Sequence, residues 1–177
     1  QPGSMQIKPP TQISQLSLHQ DNAFVDEEKY MGIYTWIPLT DVNEENGWMY
    51  MVPGSHRFGN VHRSLNLPWQ FKGMDEVLMK FARFIPAKAG EIIFFDSGTI
   101  HGSTPNYSKE VRLAVTTVIT PKGSEIINIF KDETTPEDMV EYYEVNEDFW
   151  NNYDFMKRPP SKFRFLGNRK YHDLKMT

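Results

Sequence analysis

Short runs of β-branched and aromatic residues, each stopped by Pro, Gly, Asn or Ser, set the strongest limit on how this chain folds. They are Met31–Leu39 (MGIYTWIPL), Gly47–Val52 (GWMYMV), Phe81–Ile85, Glu91–Asp96 (EIIFFD) and Val111–Ile119 (VRLAVTTVI). An earlier stretch, Ile13 to Leu18, is too close to alternation for a helix and follows Lys8-Pro9-Pro10. It reads as a strand running to Asp21. The polar segment Asp41–Asn46 between the first two runs reads as a hairpin connection. With 12 Pro and 11 Gly in 177 residues and 14 % aromatics, elements are short and turns frequent, which argues against a four-helix bundle. Seven or so strands with one long loop predict a mainly β fold: a double-stranded β-helix (jelly roll, cupin-like) with a few peripheral helices.

Ser55 to about Val77 has no sustained period and carries Trp69 and Phe71, as a lid does. Thr134-Thr135-Pro136-Glu137-Asp138, followed by Met139, Val140, Tyr142 and Tyr143, predicts a helix start. The last twenty residues turn basic and aperiodic, like a surface tail. Met49 and Met51 alternate in a strand and read as core filling.

Composition narrows the function classes. A balance of 19 basic and 23 acidic residues gives a charge of −4, with no footprint for nucleic acid and no polybasic membrane anchor. The chain has no Cys, so any metal is held by oxygen and nitrogen ligands. No apolar run approaches the roughly 18 residues of a membrane span, and QPGSM lacks the regions of a signal peptide. The expectation is a cytoplasmic protein whose partner is a small molecule; nothing in the pattern sets an oligomeric state. Asn106-Tyr107-Ser108 matches the glycosylation sequon, which carries no weight without a secretory signal.

Chemistry concentrates at His19-Gln20-Asp21. In a strand, positions i and i+2 share a face, so the imidazole and the carboxylate converge. His101, closing the apolar-to-small sequence FFDSGTIH, is the candidate third ligand. Two His and one carboxylate are the donor set of non-haem Fe(II) oxygenases, which leave positions open for a chelating cosubstrate and O2. The plainer reading of His-x-Asp is a solvated strand end. Arg112 opens an apolar strand, where an unpaired charge is costly. Its planar fork suits the free carboxylate of a dicarboxylate cosubstrate, and the competing reading is an ion pair with one of the many acidic residues.

The order HQD, then YTWIPLTDVNEENGWMYMVPGSH, then AGEIIFFDSGTIHGSTPNYSKEVRLAVTTVI resembles the phytanoyl-CoA dioxygenase family of Fe(II)- and 2-oxoglutarate-dependent oxygenases, over about Ile7 to Pro121. The resemblance implies His19, Asp21 and His101 as Fe(II) ligands and Arg112 as partner of the distal carboxylate of 2-oxoglutarate. It also implies Gln20, Trp36 and Ser103 near that cosubstrate; the competing readings are a core aromatic for Trp36 and a turn cap for Ser103. Asn22 and Phe24, which follow the pair, and Trp69 in the long loop are the substrate-facing candidates; the competing readings are a strand-end polar residue for Asn22 and a core aromatic for Phe24. His56 is expected to hold the turn after Pro53-Gly54, and His62 and His172 to be exposed. Members of the family carry a partly helical segment before the first ligand. Residues 1–177 are therefore expected to form a single jelly-roll oxygenase domain lacking that segment.

The implied activity is hydroxylation of an unactivated C–H bond of a small molecule, with O2 consumed and succinate and CO2 released. Asp21 favours hydroxylation over halogenation, because halogenases of this architecture lack the carboxylate, while desaturation or ring closure would use the same ligands. Arg63, Lys72, Trp69 and Phe71 in the long loop suit an amphipathic acid or an acyl thioester. Two rivals stand beside this. A cupin-like metal-dependent dioxygenase or isomerase without 2-oxoglutarate has no need of Arg112. A non-catalytic β-sandwich carbohydrate-binding module would present Trp48 and Trp69 as an exposed platform.

Overall fold

The computed structural model describes residues 3–58 and 62–171. Its strands are β1 (Ser4–Lys8), β2 (Leu16–His19), β3 (Ile33–Pro38), β4 (Met49–Met51), β5 (Arg83–Ile85), β6 (Ile93–Asp96), β7 (His101–Ser103), β8 (Arg112–Ile119), β9 (Ile127–Phe130), β10 (Met139–Glu144) and β11 (Arg164–Lys170). Two short helices, α1 (Asp75–Met79) and α2 (Glu147–Asn152), lie between them. Two four-stranded sheets have the orders β1-β8-β3-β6 and β2-β7-β4-β5, and a third sheet has the order β11-β10-β9. All pairings are antiparallel.

The four-stranded sheets share one core. Trp36 of β3 and Ala114 of β8 pack in a single buried cluster with Met49 and Met51 of β4, the architecture of a jelly roll. Burying each methionine contributes about 1.5–3 kcal/mol. A further cluster seats Phe71 and Leu78 on Leu18 and Tyr50, so much of the segment expected as a lid is packed against the second sheet. Residues 59–61 of that segment lie outside the described residues. Among the described residues, no helix is long and apolar enough to cross a membrane.

Several expectations are corrected. The runs around β3 and β4 do not form a hairpin: β3 lies between β8 and β6, and β4 between β7 and β5. The segment joining them crosses between the sheets and is fastened midway by a bridge from Val42 to Ala87. The first predicted strand begins later and ends earlier than its composition suggests. Gln12–Ser14 is a single 3-10 turn capped by the Thr11 side chain, and the strand stops at His19.

The helix expected after Thr134 is absent. The Thr134 amide and hydroxyl both donate to Asp132 Oδ1 (2.9 and 2.7 Å), so the cap-like residues close a turn. Met139–Glu144 is instead the central strand of the third sheet, with four consecutive buried residues that erase any alternation. The helix comes later, at α2, where the Asn146 side chain accepts from the Phe149 amide. Part of the basic, aperiodic end is likewise a strand: β11 pairs along β10 as a polar edge, and residues 172–177 lie outside the described residues.

Candidate metal centre

His19 ends β2 and His101 begins β7, and the two are paired directly across the ladder. Opposed positions in an antiparallel pair bring side chains together, and here the imidazole centroids are 4.3 Å apart. Gly102 makes this close packing possible: a Cβ there would meet the Leu16 carbonyl oxygen and the Tyr50 hydroxyl, each at 2.6 Å. Asp21 lies beyond the strand end, yet its carboxylate reaches both rings, 3.9 Å from His19 Nε2 and 3.5 Å from His101 Nε2. One ligand atom from each of the three residues lies within 4.8 Å of the others.

Each ring is oriented in the same way. His19 Nδ1 donates to the Ser17 carbonyl at 2.8 Å, and His101 Nδ1 to the Thr99 carbonyl at 2.9 Å. Holding the proton on Nδ1 leaves both Nε2 lone pairs facing Asp21, as metal ligation requires. Burial lowers the pKa of His101 to about 4. That of His19 is also lowered, by burial first and then by His101. Burial pushes the Asp21 carboxyl up to about 6, with the neighbouring His19 and Arg63 opposing. At neutral pH the set is therefore two neutral imidazoles and one carboxylate, a donor set that suits Fe(II).

Arg112, on β8, is 3 % exposed, and its Nε and Nη1 have no hydrogen-bond partner. Among the described residues it pairs with no carboxylate, so the expected alternative of an internal ion pair is not what the fold contains. The guanidinium stacks 5.1 Å from the centroid of Trp36, and burial draws its pKa down to about 10. Lys8 is its cross-strand partner, with a pKa lowered to about 8 by burial and then by the charge of Arg112. A buried cation with unsatisfied donors calls for an anion. Arg112, Trp36 and Ser103 line one cavity of about 160 Å³ with His19, Asp21 and His101.

The other expected site residues are spread more widely. Gln20 does not line this cavity: its amide is engaged by the Gly98 carbonyl at 2.5 Å. Asn22 and Trp69 line an adjoining cleft of about 290 Å³, with Gln20 and His19 also in its wall. Phe24 is in neither space; its ring packs against Trp150 (4.9 Å) and Tyr34 (6.1 Å). His56 is exposed, and the turn expected to depend on it is held by Ser55, whose hydroxyl accepts from the Ile100 amide at 2.8 Å. His62 is buried, contrary to expectation, because its Nδ1 bonds the Tyr142 hydroxyl at 2.6 Å. His172 lies outside the described residues.

Two further readings lose their basis. Trp48 and Trp69 are each partly buried against different clusters, so they form no exposed platform. The sequon residue Asn106 is buried and its amide donates to the carbonyls of Lys8 (3.0 Å) and Glu110 (2.8 Å). Arg63, offered by the sequence only as a charge in the long loop suited to an amphipathic acid or an acyl thioester, directs its Nε to the Asp21 carbonyl. It sits in an aperiodic segment, where only residue type could have signalled a role.

Known proteins resemble this chain over more than half of its length. The model of the phytanoyl-CoA dioxygenase (PhyH) family matches residues 3–114. A phytanoyl-CoA dioxygenase domain-containing protein 1 homolog of Dictyostelium discoideum is 27% identical over 110 residues, covering 58% of this chain and 39% of that protein. A 1-deoxypentalenic acid 11-beta-hydroxylase of Streptomyces arenae is 30% identical over 124 residues, covering 60% and 41%. The crystal structure of EvdO2 from Micromonospora carbonacea var. aurantiaca complexed with 2-oxoglutarate superposes with a TM-score of 0.51 at 26% identity, covering 67% of this chain and 50% of that one. The chain thus spans about two-fifths of the length of these curated relatives.

Proposed function

The chain belongs to the phytanoyl-CoA dioxygenase family, and on that premise we propose that it acts as an Fe(II)- and 2-oxoglutarate-dependent dioxygenase that hydroxylates an unactivated C–H bond of a small molecule. One oxygen atom of O2 goes to the substrate as hydroxyl and the other to succinate, with CO2 released from 2-oxoglutarate. The observation that carries the reading is the buried, unsatisfied guanidinium of Arg112 in the same cavity as His19, Asp21 and His101. A metal enzyme without a dicarboxylate cosubstrate leaves that charge unexplained.

His19, Asp21 and His101 are the residues that would hold Fe(II), which when bound supplies the activation of O2 coupled to decarboxylation of 2-oxoglutarate. Arg112 offers its fork to the distal carboxylate of the cosubstrate. Trp36, fixed by donation from its indole N–H to Gln6 Oε1 at 2.9 Å, covers one face of that guanidinium and keeps water from competing for it. Ser103, buried in the same wall, supplies a hydroxyl toward the cosubstrate. The substrate is assigned to the adjoining cleft, whose wall sets Asn22 as a polar group beside the apolar surfaces of Leu65, Leu67 and Trp69. Positioning one C–H bond and excluding water are the protein's share of the catalysis.

The test is an anaerobic titration with Fe(II) and then 2-oxoglutarate, followed by visible absorption. A weak charge-transfer band that appears in the wild type and is lost in Asp21→Ala supports the reading. Iron uptake without the band would transfer the chain to the metal-only class, and no iron uptake would refute the enzyme assignment.

A further inference from the structure

We propose that Arg63 is a positioning residue of the metal centre, clamping the segment that carries Asp21 to the turn that leads into His101. The inference rests on the reading of His19, Asp21 and His101 as metal ligands. Asp21 stands in a segment with no regular secondary structure, so no strand ladder fixes its distance from the two histidines.

Arg63 grips that segment at two points. Its Nε donates to the Asp21 carbonyl at 3.0 Å, and its own carbonyl accepts from the Ala23 amide at 3.0 Å. The same guanidinium reaches the other side of the site, where Nη2 donates to Ser97 Oγ at 3.1 Å and to Glu27 at 2.7 Å. Ser97 Oγ donates in turn to Glu27 Oε1 at 2.5 Å. A second tie runs alongside, from the Gln20 side-chain amide to the Gly98 carbonyl. Ser97 and Gly98 open the turn whose Thr99 carbonyl orients His101.

One buried cluster therefore joins the backbone on both sides of the centre. Arg63 and Glu27 are roughly nine-tenths buried, and removing two charges from water is costly enough that stability alone is a weak reason for placing them there. A planar fork with several fixed donors is the group that can hold a carbonyl, a carboxylate and a hydroxyl at once. Partners of this kind outside the ligand shell typically contribute 10–100-fold to metal affinity.

The test is a titration of the full chain with Co(II), read by its visible d–d spectrum, in wild type, Arg63→Met, Arg63→Lys and Ser97→Ala. Arg63→Met is expected to bind Co(II) about 10–100-fold more weakly and with a shifted spectrum. Arg63→Lys, which can pair with Glu27 but not also hold the Asp21 carbonyl, is expected to behave like Met, and Ser97→Ala to fall between. Arg158→Met is the control. It removes an ion pair to Glu141 that touches none of these residues, and it should lower the melting temperature without moving the Co(II) affinity or spectrum. Wild-type affinity and spectrum in Arg63→Met would overturn the proposal. Should that variant not fold, wild-type values in both Arg63→Lys and Ser97→Ala would overturn it equally. Failure of the wild type to take up Co(II) would instead sink the ligand assignment, and the proposal with it.

Discussion

His19 and His101 face each other across a single rung of the β2–β7 ladder, while Asp21 approaches both from outside it. Two of the three donors are thus set by strand pairing and the third by side-chain contacts.

Replacing Asp21 tests the centre through stability as well as through binding. Its carboxyl is raised from 3.8 to about 6 in the metal-free fold, chiefly by burial. Between those values the folded chain holds a proton that the unfolded chain has lost, so Asp21 makes stability fall as pH rises from about 4 to about 6. Asp21→Asn should flatten that slope in metal-free protein and abolish Fe(II) binding. Denaturant titrations across this range check it; an unchanged slope would show that the carboxyl is not desolvated.

Arg112→Met should weaken 2-oxoglutarate while sparing the metal. Charge-assisted hydrogen bonds contribute about 1.5–3 kcal/mol each, so the loss should be on the order of 10- to 100-fold or more. Arg112→Lys should rescue only part of it, because a point charge does not reproduce the fork. Equilibrium binding to the Fe(II)-loaded protein measures this, and equal affinity in all three forms would remove Arg112 from the cosubstrate site.

Lys8 gives the opposite pH signature to Asp21. Its pKa is lowered from 10.5 to about 8, mostly by burial and in part by Arg112. Across that interval the unfolded chain binds the proton that the folded chain has released, so stability should rise with pH from about 8 to about 10.5. The rise should be smaller in Lys8→Met. Thermal melts at matched ionic strength are sufficient, and identical slopes would refute the assignment.

Phe149 is fully buried in the cluster that joins α2 to the third sheet. Phe149→Ala should cost about 3–5 kcal/mol of stability through lost burial and the cavity left behind. Fe(II) and 2-oxoglutarate binding should be retained at temperatures where the variant is folded. A loss of metal affinity under those conditions would mean that this sheet supports the centre directly.

What the sequence made legible follows from the kind of signal each part carries. β3, β6 and β8 are rich in β-branched and aromatic residues between clear breakers, and composition alone marks them as strands. β10 misleads because Thr134, Thr135 and Pro136 mimic a helix cap while serving the Asp132 turn, and because burial on both faces removes the alternation. β11 is a polar edge, whose backbone pairing no side-chain pattern reports. His19, Asp21, His101 and Arg112 stood out by residue type, and the fold gathers all four around one cavity. Gln20 is marked by the family resemblance and Phe24 by its place just after the ligands, and neither signal reports where a side chain points. A segment without strand periodicity sends successive side chains in unrelated directions, which is why Gln20 turns to Gly98 and Phe24 to Trp150.

The contact between Arg63 and Asp21 is made to the main-chain carbonyl, not to the carboxylate. The clamp therefore holds position 21 in place whatever side chain it bears. A scaffold organised in this way lets the third donor be exchanged by a single codon change without disturbing the strands that carry the histidines. Chemical diversification at this position is decoupled from the inheritance of the fold.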